Sequence, residues 1–190
     1  NRFLPEGGTT WDMSGGYGGR LLGAIKSQIN YIATEPASDT VKGLNEIIED
    51  FGYISNIFRT IPHMEIVQKG SEDFLPDKES LDLCFTSPPY FDTEKYSEEE
   101  TQSYIKFPEW WQWLDGFLRK TFQNCRYGLK HNRYMLVNIA NVQSFKNLEN
   151  ITVKTAEQEG FVHEDTYELS LSKIQGEGFK YEPIFVFRKI

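Results

Sequence analysis

The chain has 190 residues, a formal net charge of −8 and a composition that is 39% hydrophobic and 15% aromatic. This composition argues for a globular fold and against disorder along the chain. No apolar run approaches the ~20 residues that a membrane-spanning helix needs, and the first residues do not resemble a signal peptide. We therefore expect a cytoplasmic protein that forms one domain over residues 1–190, with no membrane contact.

Cysteine and histidine are too few and too scattered to suggest a metal site. The two cysteines, Cys84 and Cys125, and the three histidines show neither a disulfide framework nor zinc-ligand spacing. We therefore expect no metal. The negative charge is unfavourable for binding nucleic-acid phosphates. Asn1 is not an initiator methionine, so a basic recognition segment could precede it. Such a segment would allow nucleic-acid binding despite the negative charge of this chain.

A glycine-rich segment follows the first predicted strand. Thr9–Met13 is the strand candidate, residues 14–20 contain four glycines, and Leu21–Ile29 predicts a helix. A glycine loop between a strand and a helix lets the backbone approach a ligand, and the helix N-terminus offers N–H groups to a negative one. The dinucleotide-binding fingerprint does not fit, because its third glycine would fall at Leu21. A glycine-rich turn and a phosphate loop remain alternatives.

The second predicted strand ends in an acid. Asn30–Thr34 is the strand, and Glu35 follows it 19 positions after Gly16. In nucleotide-binding sheets an acid about 20 positions beyond the glycine loop accepts hydrogen bonds from ribose hydroxyls. A solvated strand end is the alternative.

A helix, a strand and an acidic turn come next. Residues 41–57 carry apolar side chains at helical spacing, which predicts a helix packed on the core. His63–Gln68 is the third predicted strand, and Gly70–Phe74 follows it. On its residues alone, this turn reads as a short helix that Ser71 caps, with acids in its first turn.

The fourth predicted strand ends in a proline ledge. Leu81–Phe85 is a nearly continuous apolar run, typical of a parallel strand buried on both faces. Because Pro88 and Pro89 lack an N–H and hold φ near ~−65°, they follow the strand as a stiff segment. The acceptors of this ledge are the Ser87 hydroxyl and the carbonyls of Ser87 and Pro88. It suits a planar group that donates two hydrogen bonds, such as the amino group of adenine or cytosine, with the base stacked on Tyr90. A proline-rich turn is the alternative.

The rest of the chain predicts further alternation of helices and strands. The predicted segments are a polar loop at Phe91–Ser103, an aromatic core helix over residues 110–122, a strand at Tyr134–Ile139, a helix at Leu148–Gln158 and a hairpin of Phe161–Leu171 with Pro183–Arg188. The loop either closes over the substrate or is a solvated connection. Lys173 and Lys180 of the hairpin turn are candidates for contact with a phosphate backbone. The whole pattern predicts an α/β protein, a three-layer α/β/α sandwich.

Two motifs resemble those of S-adenosylmethionine-dependent DNA amino-methyltransferases, enzymes also known from phages and restriction-modification systems. Asp12-Met-Ser-Gly-Gly-Tyr-Gly18 resembles their cofactor-binding glycine motif, and Thr86-Ser-Pro-Pro-Tyr90 resembles their catalytic motif. The resemblance runs from about Trp11 to Lys189. It implies a Rossmann-like methyltransferase fold with a seven-stranded, mostly parallel sheet that ends in an antiparallel hairpin.

The resemblance also implies S-adenosyl-L-methionine as the cofactor. The cofactor-binding residues that it implies are Asp12, Ser14, Gly16, Gly18, Glu35, Asp73 and Phe74. The glycine backbone is expected along the methionine part of the cofactor, with Asp12 and Ser14 near its polar end. Glu35 is expected on the ribose, Asp73 on the adenine amino group and Phe74 on the adenine ring.

The implied reaction is methylation of cytosine N4 or adenine N6 in DNA. The implied catalytic residues are Ser87, Pro88, Pro89 and Tyr90. Ser87 and the Pro88 carbonyl are expected to hold the target amino group, while Tyr90 and Phe91 receive a base flipped out of the duplex. Serine in place of aspartate leans slightly towards cytosine but does not separate the two bases.

The chain departs from the family in having no evident target-recognition domain. Recognition is then expected in the loop Phe91–Ser103, in residues before Asn1 or in a partner chain. Two other functions remain open, namely methylation of RNA or another planar amino group, and a non-catalytic subunit that keeps the fold for binding.

Overall fold

A computed structural model describes residues 2–52, 61–93, 95–172 and 179–190. The strands are β1 (Thr9–Asp12), β2 (Asn30–Thr34), β3 (Met64–Val67), β4 (Leu81–Thr86), β5 (Leu129–Asn138), β6 (Phe161–Ser172) and β7 (Phe179–Lys189). They form one seven-stranded sheet in the order β3-β2-β1-β4-β5-β7-β6. The pairs among β1 to β5 are parallel, and β7 lies antiparallel between β5 and β6. This confirms the predicted fold class.

Helices precede and follow the strands as the alternating pattern predicts. They are α1 (Gly19–Ser27), α2 (Ser38–Ile47), α3 (Ser103–Lys106), α4 (Trp110–Gln112), α5 (Lys120–Gly128) and α6 (Leu148–Gln158). A π-helical segment, Trp113–Arg119, joins α4 to α5 without a break, and Ser71–Asp73 is a single 3₁₀ turn. None of the described helices is both long and apolar enough to cross a membrane.

Side chains on the two faces of the sheet pack into different hydrophobic clusters. Tyr31 and Ala33 of β2 pack with buried residues of α1 and α2, whereas Ile32 between them packs in the cluster that contains Trp113 and Phe122. Successive side chains of a strand point to opposite faces. The sheet is therefore covered on both sides, which gives the three-layer arrangement.

The aromatic helix is mostly core, as its spacing predicts. Trp113, Phe117 and Phe122 are buried, but Trp110, which was expected on the same stripe, is 48% exposed. Its ring instead lies 5.7 Å from that of Phe145. Position 110 lies at the start of the helix, where the buried stripe has not yet begun.

Two strands begin several residues earlier than predicted. β5 begins at Leu129 rather than Tyr134, since Leu129 pairs with Leu81 before a register shift. β7 begins at Phe179 rather than Pro183. The pairing of β5 with β7 ends at Ile184. Pro183 therefore lies where β7 needs no N–H for a hydrogen bond to β5. Strands tolerate proline at such positions.

Part of the prediction lies outside the described residues. This applies to residues 53–57 of the predicted second helix and to Lys173 of the hairpin turn, as well as to the side chain of Lys180.

The fold places several loops at one edge of the sheet. β1 lies between β2 and β4, so the direction of the strand order reverses at β1. Ligands of open α/β sheets bind in the crevice at the carboxyl ends of the strands at such a switch point. The segments after β3, β2, β1 and β4 are therefore side by side, in that order.

Candidate active site

A cavity of about 300 Å³ lies at this edge. Its walls come from the glycine loop, the end of β2, the 3₁₀ turn, the proline ledge and the segment before α3. Among the predicted site residues, those that line it are Ser14, Gly16, Glu35, Ser87 and Pro89. Its volume is at the lower end of the range for small-molecule sites. The structure thus brings the two sequence motifs to one cavity.

The glycine loop turns sharply after β1. Gly16 has φ 53° and Gly18 has φ 84°, conformations that favour glycine. A Cβ on Gly18 would lie 2.9 Å from Ile47 Cδ1 and 3.1 Å from Leu44 Cδ2. Gly18 therefore packs the loop against α2 rather than facing the cavity, whereas Gly16 lines it.

Glu35 holds the glycine loop and lines the cavity. Its carboxylate accepts hydrogen bonds from the backbone N–H groups of Gly16 and Ala37, both at 3.0 Å. Burial raises the pKa of Glu35, although these two N–H groups act in the opposite direction. Each carboxylate oxygen can accept a further hydrogen bond, so the group retains capacity for ribose hydroxyls.

Asp12 lies behind the loop and does not line the cavity. Its carboxylate is 1% exposed and accepts hydrogen bonds from Arg20 Nε at 2.7 Å and from the Tyr31 hydroxyl at 2.6 Å. Ser14 N donates to its other oxygen. Burial and the Asp12 carboxylate raise the pKa of Tyr31. The residue expected near the polar end of the cofactor thus positions Arg20, which does line the cavity.

The acidic turn presents Glu72 to the cavity rather than Asp73. Glu72 is buried and lines the cavity, whereas the Asp73 side chain is 57% exposed. Lys106 Nζ contacts both carboxylates, with 2.7 Å to Glu72 Oε1. Burial raises the pKa of Glu72, and Lys106 lowers it less. Phe74 packs on Trp11 with ring centres 5.1 Å apart and does not line the cavity, where Phe117 supplies an apolar wall.

Two buried polar atoms of cavity-lining side chains have no partner within the described part of the chain. They are Glu72 Oε2, an acceptor when ionised, and Gln102 Nε2, a donor. Buried polar groups in proteins are nearly always hydrogen-bonded. Adenine offers an amino donor beside a ring-nitrogen acceptor, which are the hydrogen-bonding types complementary to this acceptor and donor.

The ledge after β4 contributes to the wall of the cavity. Ser87 and Pro89 line the cavity, while Pro88 is buried beside them. The Ser87 hydroxyl makes no hydrogen bond to any other described residue, which leaves it able to bind a ligand. Thr86 Oγ1, just before it, is likewise buried and unpaired among the described residues.

Tyr90 and Phe91, which were expected to receive a flipped base, pack against other side chains. Tyr90 is 8% exposed, and its hydroxyl donates to Glu182 Oε2 at 3.2 Å. Phe91 has φ 55°, and its ring lies 6.1 Å from Trp113 and 6.4 Å from Phe145. Neither ring lines the cavity, because the core covers one and an aromatic cluster covers the other. A base could stack on the buried Tyr90 ring only after displacing its neighbours, whereas Phe91 is half-buried.

The predicted polar loop covers the cavity. Tyr96, Thr101, Gln102 and Ser103 line it, and the Tyr96 ring lies 5.7 Å from that of Tyr17 in the glycine loop. Glu99 accepts hydrogen bonds from Ser38 N at 2.9 Å and Ser38 Oγ at 3.0 Å. The segment from residue 95 to Lys106 is called the cover segment below.

Several lining residues were not predicted as site residues. Arg20 follows the glycine loop directly, and this position is a usable signal. Glu72 adjoins the predicted Asp73, so the sequence located the turn but not the side chain. Gln102 lies in the predicted polar loop, which was one candidate to close over the substrate, but no sequence signal marks this residue within the loop or Phe117 within the aromatic helix.

The sheet order, the glycine loop and the cavity at the switch point define the class of Rossmann-like methyltransferases. A comparison with protein-family models finds DNA methylase over residues 81–190, more than half of the chain. The chain therefore belongs to the DNA methylase family.

Solved structures show the same fold. An S-adenosylmethionine-dependent methyltransferase from Methanosarcina mazei superposes with a TM-score of 0.70 at 10% identity, over 100% of this chain and 95% of that chain. One from Aquifex aeolicus gives 0.65 at 13% identity, over 98% and 85%. A putative methyltransferase from Thermoplasma acidophilum gives 0.64 at 14% identity, over 98% and 70%. Curated proteins gave no match. The family and the fold together support S-adenosylmethionine as the cofactor.

Proposed function

We propose that this chain is a DNA methyltransferase that acts on the exocyclic amino group of cytosine (N4) or adenine (N6). The observation that carries the proposal is the single cavity that Ser87 and Pro89 share with Gly16 and Glu35. A ledge suited to an amino group thus adjoins a loop suited to the cofactor. Membership of the DNA methylase family supports DNA as the substrate.

The order of the strands suggests how the cofactor lies. Glu72 follows β3, Glu35 follows β2, the glycine loop follows β1 and Ser87 follows β4, so these groups succeed one another along one edge. We place the adenine at Glu72 and Gln102, the ribose at Glu35 and the methionine part at the glycine loop. Glu72 then takes the role that the sequence predicted for Asp73, and Phe117 lies where Phe74 was expected.

The bound cofactor supplies an electrophilic methyl group on a sulfonium. The protein's part is to hold and orient the nucleophile. An aromatic amino group is a poor nucleophile because its lone pair is delocalised into the ring. The Ser87 hydroxyl and the Pro88 carbonyl accept hydrogen bonds from the two N–H groups of the amino group. These bonds localise the nitrogen lone pair and direct it into the cavity.

The surroundings of the ledge support this role. Pro88 and Pro89 limit its backbone freedom, and Tyr90 links it through Glu182 to β7, far along the chain. Tyr96, Thr101, Gln102 and Ser103 of the cover segment line the same cavity, so in our proposal this segment shields the reacting groups from water. The ledge is thus held in place before a base arrives.

The test is transfer of labelled methyl from S-adenosylmethionine to duplex DNA, single-stranded DNA and RNA in parallel, with nucleoside analysis of the products. We expect N4-methylcytosine or N6-methyladenine in DNA. Ser87→Ala should lower turnover at least tenfold, the loss typical of a group that acts on the transition state, with cofactor affinity unchanged. Ser27→Ala, at the exposed end of α1, is the matched control.

Three results would contradict the proposal. Label in RNA alone would place the substrate in the other nucleic acid. Cofactor binding without transfer to any substrate would favour a non-catalytic binding subunit. Equal turnover of the Ser87→Ala and Ser27→Ala proteins would remove the ledge from the reaction.

A further inference from the structure

Arg20 is the one cation among the described residues that line the cavity. The other charged residues that line it are Glu35 and Glu72. Arg20 lies in the first turn of α1, directly after the glycine loop, and its side chain is 29% exposed. It follows β1, which lies in the sheet beside β4, the strand that ends in the ledge.

Its guanidinium is held from behind. Nε donates to Asp12 Oδ2 at 2.7 Å, and Nη2 donates to the Ser14 carbonyl. The guanidinium carbon lies 5.6 Å from the centre of the Phe85 ring, which limits its sideways movement. Tyr31 in turn fixes Asp12 through its hydroxyl at 2.6 Å. Nη1 has no hydrogen-bond partner among the described residues, so this part of the fork remains available to a ligand.

The charges of the cavity favour one orientation of the cofactor over the reverse one. S-adenosylmethionine has a single anionic group, the carboxylate of its methionine moiety; its ammonium and sulfonium groups are positive, and its ribose and adenine are uncharged. Glu35 and Glu72 would repel that carboxylate, whereas an arginine fork is well suited to bind one. With the adenine placed at Glu72, the methionine end comes to the β1 side, where Arg20 lies.

We propose that Arg20 binds the methionine carboxylate of the cofactor. Asp12 is then a positioning residue, which orients the guanidinium without touching the ligand. This inference rests on the proposed function, because it assumes that the cavity holds S-adenosylmethionine. It also explains why the predicted polar-end residue, Asp12, is buried behind the loop.

The test compares two ligands that differ only in this carboxylate, S-adenosylmethionine and decarboxylated S-adenosylmethionine, by calorimetry without nucleic acid. Charge-assisted hydrogen bonds predict that the wild-type protein binds the first about 10- to 100-fold more tightly. In Arg20→Met this ratio should fall close to one, through weaker binding of S-adenosylmethionine alone. Arg20→Lys should give an intermediate ratio, because it retains the charge but loses the fork.

Two further variants guard against a trivial result. Arg20→Met leaves the buried Asp12 carboxylate without its cation, so the double variant Asp12→Asn with Arg20→Met removes both charges and should also have a ratio close to one. Lys26→Met removes a cation from the exposed side of the same helix and should keep the wild-type ratio. Thermal unfolding of each protein shows whether it is folded during the measurement.

The possible results distinguish a failure of the Arg20 proposal from a failure of the proposed function. If Arg20→Met weakens both ligands equally, Arg20 acts only by supporting the glycine loop, and the inference is wrong. An unchanged ratio in the folded double variant would also overturn it. If the wild-type protein binds neither ligand, the proposed function fails as well.

Discussion

Glu35 and Glu72 are the two carboxylates of the cavity, and burial raises the pKa of both. Their charged forms accept hydrogen bonds at both oxygens, and protonation turns one of these oxygens into a donor. An exposed glutamate titrates near ~4.3, so these two take up protons at a higher pH than usual. Ligand binding at this site is therefore expected to be coupled to proton release.

We predict that affinity for S-adenosylhomocysteine falls as the pH is lowered from 8 to 5, and that the fall begins above the ordinary glutamate pKa. Calorimetry across this range checks it. Glu35→Gln should bind more weakly at pH 8 and show a smaller change with pH. An affinity that stays constant down to pH 5 would show that neither carboxylate binds the ligand in its ionised form.

The contribution of these carboxyls to the free energy of unfolding without ligand should increase as the pH is lowered, opposite to the change in ligand affinity. A carboxyl whose pKa is raised in the folded state contributes stability that is complete below its unfolded pKa and is lost as the pH rises through the folded value. The contribution of Glu35 and Glu72 therefore decreases between the ordinary glutamate pKa and their raised values. At neutral pH the two ionised carboxylates therefore favour ligand binding but lower the free energy of unfolding of the ligand-free protein.

At the scale of elements, the cover segment contacts three other parts of the fold. Its Tyr96 contacts the glycine loop, Glu99 caps the start of α2, and Lys106 pairs with Glu72. These are mainly polar and partly exposed contacts, which are individually weak. Such a segment opens at low cost compared with the sheet beneath it. We expect it to control the release of the cofactor.

Glu99→Ala should speed the dissociation of S-adenosylhomocysteine about fivefold. The change removes two hydrogen bonds to Ser38 at the start of α2, worth about 1 kcal/mol for a helix cap. Stopped-flow displacement measures the rate. Glu98→Ala, at an adjacent exposed position, is the control. Equal rates in the two variants would show that the Glu99 contact does not hold the segment closed.

At the scale of the whole molecule, a buried carboxylate joins three strands at the end of the sheet opposite the cavity. Asp82, near the start of β4, is 5% exposed and accepts hydrogen bonds from Thr9 N at 3.1 Å and from Lys130 Nζ at 2.9 Å. Arg133 Nε is 3.5 Å away. This carboxylate therefore links β1, β4 and β5 at the end away from the cavity.

Asp82→Asn should lower the free energy of unfolding by about 1–2 kcal/mol, because it removes a charge from a buried hydrogen-bonded group whose main partner is partly solvated. Urea unfolding measures this change. Affinity for S-adenosylhomocysteine should stay the same, since the cavity lies at the other end. Asp77→Asn, at an exposed position, is the control. A loss of affinity without a loss of stability would contradict this separation.

The extent to which the site was predictable differs between neighbouring residues. Ser87 and Glu35 follow strands that their own residues mark clearly, so their placement at the carboxyl edge could be predicted. Glu72 and Asp73 are adjacent in a single 3₁₀ turn, and the sequence indicated the wrong one as the cavity-lining residue. Lys106 and Asn124, both distant in sequence, contact this turn and orient it.

The enclosure of Tyr90 shows a second limit. Its position after the two prolines was predicted, but its exposure depends on Glu182 of β7 and on the buried cluster around Trp113. Likewise, the residues near Gln102 left open whether this loop lies over the site or is a solvated connection, and they did not indicate its contact with the glycine loop. Contacts across 50 or more positions cannot be inferred from local patterns.

The sequence by itself determined the strands, most of the helices and the residue that follows each strand. These depend on hydrophobic periodicity and on the restricted backbones of glycine and proline, which act over a few residues. Only the tertiary structure decided that β7 enters between β5 and β6, that Asp12 orients Arg20, and that Glu72 rather than Asp73 faces the cavity. The direction of a side chain depends on the groups that pack around it, and here those groups come from distant parts of the chain.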